Sequence, residues 1–195
     1  MIYFVRHGQT NANREGLVQG RINLDPLNAL DEIGRSQAKE AAGKIRGFDI
    51  ENFNHAFCSN TLRAEETAKI ILSELKSGVE LIVEPQIIER DYGPWDNKLV
   101  TQLPENIYQQ KSEDLIVESS EMETYIERHK RVLPFLKMLK TLKGNILVVA
   151  HGGIIRDMLT VLEKDFGIQI TTARRKSDGR FDNLKNCEIV RVPFA

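Results

Sequence analysis

Short apolar runs alternate along this chain with longer stretches of helical periodicity, and this alternation restricts the fold more than any other feature. A run of about four to eight apolar residues that ends in glycine or polar residues is typical of a buried strand, whereas apolar side chains three or four positions apart are typical of a helix packed on one face. Strand-like runs cover residues 2–5, 55–58, 79–83, 145–150 and 188–192. Helix-like stretches cover residues 31–46, 62–75, 122–142 and 154–162.

Repeated strand-then-helix units predict an α/β fold, a three-layer α/β/α sandwich with a mostly parallel central sheet. The run at 145–150 is apolar at successive positions, which favours a central strand covered on both faces. Asp31 is the expected N-cap of the first long helix, and Pro134 is expected to kink the helix over 122–142. Residues 85–120 are polar, irregular and interrupted by glycine and proline, so we expect a cap over a site there.

Size and composition narrow the class of protein. The 195 residues are the usual size of one domain, and we expect a single domain over 1–195 with the cap inserted. Lysine and arginine total 27 against 28 acidic residues, which argues against nucleic acid or a membrane as the main partner. The two cysteines lack metal-ligand spacing, and Met1 leads directly into a strand without signal-peptide features. The expectation is a cytoplasmic protein that needs no metal.

Two histidines follow predicted strands, and each stands beside glycine. His7 lies in Arg6-His7-Gly8, and His151 lies in Ala150-His151-Gly152-Gly153. Open α/β sheets bind ligands at the carboxyl ends of their strands, and glycine lets the backbone approach a ligand closely. Taken singly, the tripeptide also fits a surface turn, and His151 also fits a satisfied core histidine.

A histidine that attacks phosphorus must present a neutral ring nitrogen, and nearby cations favour that neutral form. The transferring phosphoryl group spreads charge over three oxygens, for which planar arginine forks and backbone N–H groups are suitable partners. Arg6 adjoins His7, and Arg63 lies near the start of the helix after the second strand, although a lone arginine there is often only solvated. The joint pattern predicts a phosphate site.

Four blocks together resemble the histidine phosphatase superfamily, to which phosphoglycerate mutases also belong. They are residues 5–13 (VRHGQTNAN), 19–20 (QG), 59–68 (SNTLRAEETA) and 150–153 (AHGG), in the family's order and spread over nearly the whole chain. The resemblance implies a single histidine phosphatase domain with a phosphoglycerate mutase-like fold and no cofactor.

The resemblance also implies a role for each site residue. His7 becomes phosphorylated, Arg6, Arg63 and His151 hold the phosphoryl oxygens, and Glu89 in the cap protonates the leaving oxygen. For that last role the pKa of Glu89 should be raised by burial or by the bound phosphate. The remaining residues implied to bind phosphate or substrate are Asn13, Gln19, Gly20, Arg90 and Gly152. Two departures from the family pattern stand out: an insertion near residues 23–29, and Asn97 where glycine is frequent.

Hydrolysis and mutase-type transfer share the phosphohistidine and differ in the acceptor. Nine acidic and three basic residues fall between 85 and 123, and this acidic balance favours a phosphatase, because a mutase for phosphorylated carboxylates needs cations. Arg90 and Lys98 remain an alternative carboxylate clamp. The chain also ends soon after its last strand, so we expect little tail to close the site. A phosphate-binding module without turnover is the third alternative and the least favoured.

The partner predicted by these arguments is a small phosphorylated molecule whose leaving group stays open, and a homodimer stays open too. One basic loop, containing Arg174, Arg175, Lys176 and Arg180, has two interpretations. Such runs are usually solvated surface, but this one could also reach the pocket and bind a second anionic group of the substrate.

Overall fold

A mixed β-sheet forms the centre of the molecule, in a computed structural model that describes residues 1–23, 26–48, 50, 52–103 and 122–193. Its strands are β1 (Ile2–Arg6), β2 (His55–Cys58), β3 (Leu81–Val83), β4 (Ile146–Ala150) and β5 (Ile189–Val192). They form one five-stranded sheet with the order β3-β2-β4-β1-β5. The first four strands pair in parallel, and β5 pairs antiparallel with β1. The prediction of a mostly parallel sheet is therefore confirmed.

The strand β4 lies in the middle of this sheet, between β2 and β1. All five of its residues are buried, as the continuous apolar run predicts for a strand covered on both faces. Arg6 at the end of β1 pairs with Ala150 at the end of β4. The residues that follow these two strands therefore begin side by side at one edge of the sheet.

Helices cover both faces. They are α1 (Asn11–Arg14), α2 (Glu32–Arg46), α3 (Leu62–Glu74), α4 (Tyr125–Leu139) and α5 (Gly152–Lys164). Phe4 and Val148 pack with α4 and α5, whereas Val5 and Val149 pack with α2 and α3. Successive strand residues thus point to opposite layers, as the two-residue period of a strand requires. This is the predicted three-layer sandwich.

Local capping explains where the long helices begin and end. The Asp31 carboxylate accepts the N–H of Gly34 at 2.8 Å, so the predicted N-cap of α2 is confirmed. Thr124 and Glu127 form a capping box that starts α4 at Tyr125, three residues later than the periodicity predicts. Pro134 lies inside α4, which continues past it to Leu139.

The predicted cap is only partly within the described residues, and its extent stays a prediction. Residues 85–103 form three short 3₁₀ turns, Pro85–Ile87, Gly93–Trp95 and Val100–Gln102, while 104–120 lie outside the described residues. Residues 24 and 25 of the predicted insertion lie outside as well. Asn97 adopts a φ of 65°, a conformation that asparagine tolerates better than most residues, so its replacement of the frequent glycine keeps the turn. None of the helices in the described ranges has the length and apolar character that a bilayer span requires.

Candidate active site

The rings of His7 and His151 meet at the carboxyl ends of β1 and β4. Their centroids lie 5.2 Å apart with an interplanar angle of 62°. The backbone N–H of His7 donates to the carbonyl of Ala150 at 2.9 Å, which continues the β1–β4 pairing to the first histidine. Parallel pairing thus brings together two motifs that are more than 140 residues apart in the sequence.

The His7 ring presents a single free nitrogen. Its Nδ1 lies 2.7 Å from the Gly8 carbonyl oxygen, which can only accept, so Nδ1 carries the proton and Nε2 carries the lone pair. Burial and the neighbouring guanidinium groups of Arg63 and Arg6 hold the pKa of His7 well below its usual value of 6.5. His7 is therefore neutral near pH 7, with one ring nitrogen available to a substrate.

A hydrogen bond to α3 and close packing against α2 fix the position of Gly8. Its N–H donates to the Thr67 hydroxyl at 3.0 Å, and that hydroxyl donates to the Arg63 carbonyl at 2.6 Å. A Cβ at position 8 would lie 2.5 Å from the carbonyl oxygen of Gly34, which leaves no room for any side chain. The carbonyl that fixes the His7 tautomer is therefore held by α2 and α3.

His151 is buried beside two hydroxyl groups. Its Nε2 lies 2.8 Å from Ser59 Oγ and 3.4 Å from Thr61 Oγ1. Within the described part of the chain, its Nδ1 is buried without a hydrogen-bond partner. Burial, Arg63 and His7 hold the pKa of His151 well below 6.5. A neutral His151 that accepts from Ser59 at Nε2 can donate from Nδ1 to a bound anion.

Arg63 and Arg6 bring buried positive charge to the same place. The Arg63 fork donates to the carbonyls of Gly20 at 2.7 Å and Ile22 at 3.0 Å. Burial lowers the pKa of Arg63 to about 10, which leaves it charged at neutral pH. Arg6 donates to the Leu184 carbonyl at 2.6 Å. Among the described residues, neither Nε–H group has an acceptor, and a phosphoryl oxygen is the kind of acceptor that suits them.

A cleft of about 210 Å³ contains these groups, and it is also lined by Asn13, Gln19, Gly20 and Gly152. The Asn13 side-chain oxygen accepts from Asn186 at 3.3 Å, so its amide nitrogen is left as a donor. Nine of the ten site residues predicted from the sequence therefore line one cleft, and the tenth, Arg90, is described below.

Glu89 reaches the first turn of α5 from the cap. Its carboxylate accepts the backbone N–H groups of Gly153 and Ile154, both at 3.0 Å, and of Arg90 at 2.8 Å. A helix N-terminus attracts negative charge, which explains this placement. A Cβ on Gly153 would lie 2.5 Å from Glu89 Oε1, so the contact requires glycine there.

The segment before Glu89, in the predicted cap, is fixed by Arg131 on α4. Its guanidinium donates to the carbonyls of Gln86 at 2.6 Å and Ile88 at 2.9 Å, and it pairs with Glu123 at 2.8 Å. These bonds hold the segment that carries Glu89 against the body of the protein.

The structure does not place Arg90 in the cleft. Its side chain is 6% exposed and lies over the Tyr92 ring at 5.3 Å. Burial and the nearby charge of Arg128 lower its pKa. The predicted substrate-binding role of Arg90 therefore has no support from its position, because Arg90 is not among the residues that line the cleft.

Several cleft residues were missed by sequence reasoning. Arg156 is the most informative of them, because it adds a cation and donates to the Gly152 carbonyl at 3.3 Å. Helical spacing could have found it, since it lies four residues after Gly152 on the same face of α5. The other missed lining residues come from loops without a recognisable period: Leu17, Val18, Tyr92, Val100, Asn183 and Leu184.

The basic loop remains at the surface. Arg174 pairs with Asp182 and Glu188, each at 2.9 Å, Arg175 pairs with Glu163, and Arg180 pairs with Asp178. None of these three arginines lines the cleft, so the alternative in which they bind a second anionic group is not supported. The described residues also contain no group of three or more His, Cys, Asp and Glu side chains arranged to hold a metal ion.

Comparison with known proteins agrees with this geometry. The family model described as histidine phosphatase superfamily (branch 1) matches residues 2–188. The chain belongs to this superfamily. A probable phosphatase of Schizosaccharomyces pombe is 29% identical over 180 residues, which cover 90% of this chain and 79% of that protein.

The relatives of this member of the histidine phosphatase superfamily also include mutases. A 2,3-bisphosphoglycerate-dependent phosphoglycerate mutase of Parvibaculum lavamentivorans is 31% identical over 180 residues, covering 84% of this chain and 80% of the relative. The crystal structure of phosphoglycerate mutase from Thermus thermophilus superposes with a TM-score of 0.62 at 26% identity, covering 84% of each chain. The predicted phosphoglycerate mutase-like fold is therefore confirmed, and the relatives include both phosphatases and mutases.

Proposed function

We propose that this protein is a phosphatase that hydrolyses a small phosphate monoester through a phosphohistidine at His7. The observation that carries the proposal is the state of the His7 ring. It is neutral, its Nδ1–H is bound to Gly8, and its Nε2 lies in a cleft with the guanidinium groups of Arg6 and Arg63. A lone pair surrounded by cations is what attack on an anionic phosphoryl group requires.

In the first step, His7 Nε2 attacks phosphorus while the bond to the ester oxygen breaks. The electron pair of that bond moves to the leaving oxygen, and the Glu89 carboxyl gives it a proton, so that an alcohol departs. Arg6, Arg63 and His151 hold the equatorial oxygens, with Asn13 and the Gly152 N–H as further donors.

In the second step, Glu89 takes a proton from water, and the water oxygen attacks phosphorus. The phosphorus–nitrogen bond breaks, its electrons return to Nε2, and inorganic phosphate leaves. The same carboxyl thus acts first as acid and then as base, and both proton transfers balance over the cycle.

Two observations favour water over a second hydroxyl as the acceptor. Arg90, the cation that the sequence offered for a substrate carboxylate, does not line the cleft, and the cation that does, Arg156, donates to the Gly152 carbonyl beside the phosphoryl site. The described part of the cap is also acidic, with Glu89, Asp91 and Asp96 against Arg90 and Lys98. Phosphoglycerate mutase-type transfer is the second candidate, because a mutase is among the relatives above 30% identity.

The free, buried thiols of Cys58 and Cys187 support the expectation of a reducing, cytoplasmic location. That location and the small-molecule partner are parts of the same proposal.

A rapid-quench experiment with a radiolabelled phosphate ester tests the proposal. We expect acid-labile label on the protein in the first turnover, and we expect His7→Gln to abolish it. His129→Gln is the matched control, because His129 is a surface histidine paired with Asp165 at 2.8 Å and should leave labelling unchanged. Label released as inorganic phosphate supports the phosphatase, label moved to another hydroxyl supports the mutase, and a protein that binds phosphate without labelling is a binding module.

A further inference from the structure

Two chemically different groups of residues line the cleft. Charged and polar groups surround His7, and the proposed function assigns them to the phosphoryl group. The second group is an apolar wall, which we define by its residues: Leu17, Val18, Tyr92, Val100 and Leu184. Because both groups line one cleft, the leaving group of a substrate whose phosphorus meets His7 lies in the same cavity as this wall.

The apolar wall is built before any ligand arrives. Val18 donates its N–H to the Lys98 carbonyl, Asn97 donates to the Val18 carbonyl, and Val100 donates to the Gly16 carbonyl, each at 2.8 Å. Residues 16–18 and 97–100 thus form a short antiparallel ribbon, with a bridge between Leu17 and Leu99. Backbone hydrogen bonds of this kind fix the direction of the side chains and lower the entropy lost on binding.

Two residues of the wall, Val18 and Tyr92, belong to a small apolar cluster. Val18 is 6% exposed and packs with Leu103, Met122, Tyr92 and Trp95. Val100 is 42% exposed. Val100 lies at the opening of the cleft next to this packed cluster. We therefore expect it to contact an apolar ligand.

The cations near the wall are bound elsewhere. Arg21 pairs with Glu123 at 2.8 Å and with Asp91 at 3.4 Å. Arg90 lies over Tyr92 outside the cleft. Arg156 lies one turn after Gly152 on α5 and close enough to Arg6 to affect its pKa, which places it with the groups around His7.

We propose that the substrate is a phosphate monoester whose leaving group is apolar, an aromatic or branched aliphatic alcohol packed on the wall formed by Leu17, Val18, Tyr92, Val100 and Leu184. This inference rests on the proposed function for its orientation in the cleft. A carboxylate or sugar hydroxyl packed on the aliphatic side chains of this wall loses water without gaining a partner from them, whereas an aryl group gains by burial.

Binding of phosphonates, which need no turnover, tests the inference separately from the proposed reaction. We expect calorimetry to give benzylphosphonate an affinity at least about tenfold higher than methylphosphonate, the gain for burying a ring of that size. Val100→Ser should reduce the ratio of the two affinities by about fivefold, because it removes one methyl contact and buries a hydroxyl. Val83→Ser is the matched control, because Val83 is a valine of similar exposure, 46%, on the edge strand and outside the cleft.

Equal affinities for the two phosphonates, or tightest binding of phosphonoacetate, would overturn the apolar leaving group. An advantage for benzylphosphonate that Val100→Ser leaves intact would overturn the assigned wall. A protein that prefers benzylphosphonate but forms no phosphohistidine would support this inference while refuting the proposed function, so the two failures are distinguishable.

Discussion

Gly153→Ala tests whether Glu89 acts from the position where the structure holds it. The added Cβ would lie 2.5 Å from Glu89 Oε1 and 3.1 Å from its carboxyl carbon. Because carbon–oxygen contacts settle near 3.5 Å, the carboxylate has to move by roughly 1 Å. That movement breaks its hydrogen bonds to the N–H groups of Gly153 and Ile154.

A displacement of about 1 Å typically costs on the order of 100-fold in rate, which agrees with the contribution of a general acid. We therefore expect phosphohistidine formation from an alkyl phosphate to slow about 100-fold, or roughly 2.7 kcal/mol in activation free energy. With p-nitrophenyl phosphate the leaving group needs no proton, so the same step should slow less than about fivefold.

Single-turnover rapid quench measures that step alone, with circular dichroism to show that the variant is folded. Gly43→Ala is the control, because a Cβ at this helical glycine meets no atom within 4 Å and its only effect is higher helix propensity. It should raise the free energy of unfolding by about 0.5–1 kcal/mol and leave the rate unchanged. A folded Gly153→Ala protein with a wild-type rate on the alkyl ester would refute proton donation by Glu89 from this position.

Three further predictions concern stability and the phosphoryl site. The pKa of His151 lies well below 6.5 in the folded protein, so below pH 6.5 the unfolded chain binds a proton at this residue that the folded protein does not. Between pH 7.5 and 5.5, the free energy of unfolding measured in urea should therefore fall by about 1 kcal/mol more for wild type than for His151→Asn. Equal decreases in the two proteins would contradict this. Arg63→Lys lacks the fork that holds two carbonyls and should lower kcat/KM by about 100-fold or more, whereas a loss below fivefold would show that the fork is dispensable. At Gly20 the φ is 45° and a Cβ would overlap Asp96, so Gly20→Ala should lower the free energy of unfolding by roughly 1–3 kcal/mol in thermal or urea denaturation. Gly16→Ala, with a φ of 70° but open space, should cost less, and the reverse order would contradict the overlap.

The layers of the fold could be predicted because their signals are local. A two-residue or 3.6-residue period depends only on which side of a strand or helix is buried, and it is visible in the sequence itself. The strand His55–Cys58 has the predicted bounds, and α3 ends one residue earlier than its periodicity indicates. Short motifs directly after strands can be placed as reliably as the strands themselves. His7 and His151 lie close together because β1 and β4 are adjacent and parallel.

Irregular segments gave less information, because the direction of a loop side chain depends on partners that are distant in the sequence. Arg90 does not line the cleft, and its guanidinium lies over the Tyr92 ring. The apolar wall of the cleft exists only because residues 16–18 pair with 97–100. Neither the position of Arg90 nor the pairing of residues 16–18 with 97–100 is indicated by a period or a motif in the sequence.

The sequence by itself determined the α/β layers, the order of the catalytic blocks and the neighbours of His7, because periodic burial and residues beside strand ends are local properties. Tertiary structure alone decided which nitrogen of His7 is free, where Glu89 rests on α5 and which cations face the cleft. Those features depend on hydrogen bonds and packing between segments that meet only when the chain has folded.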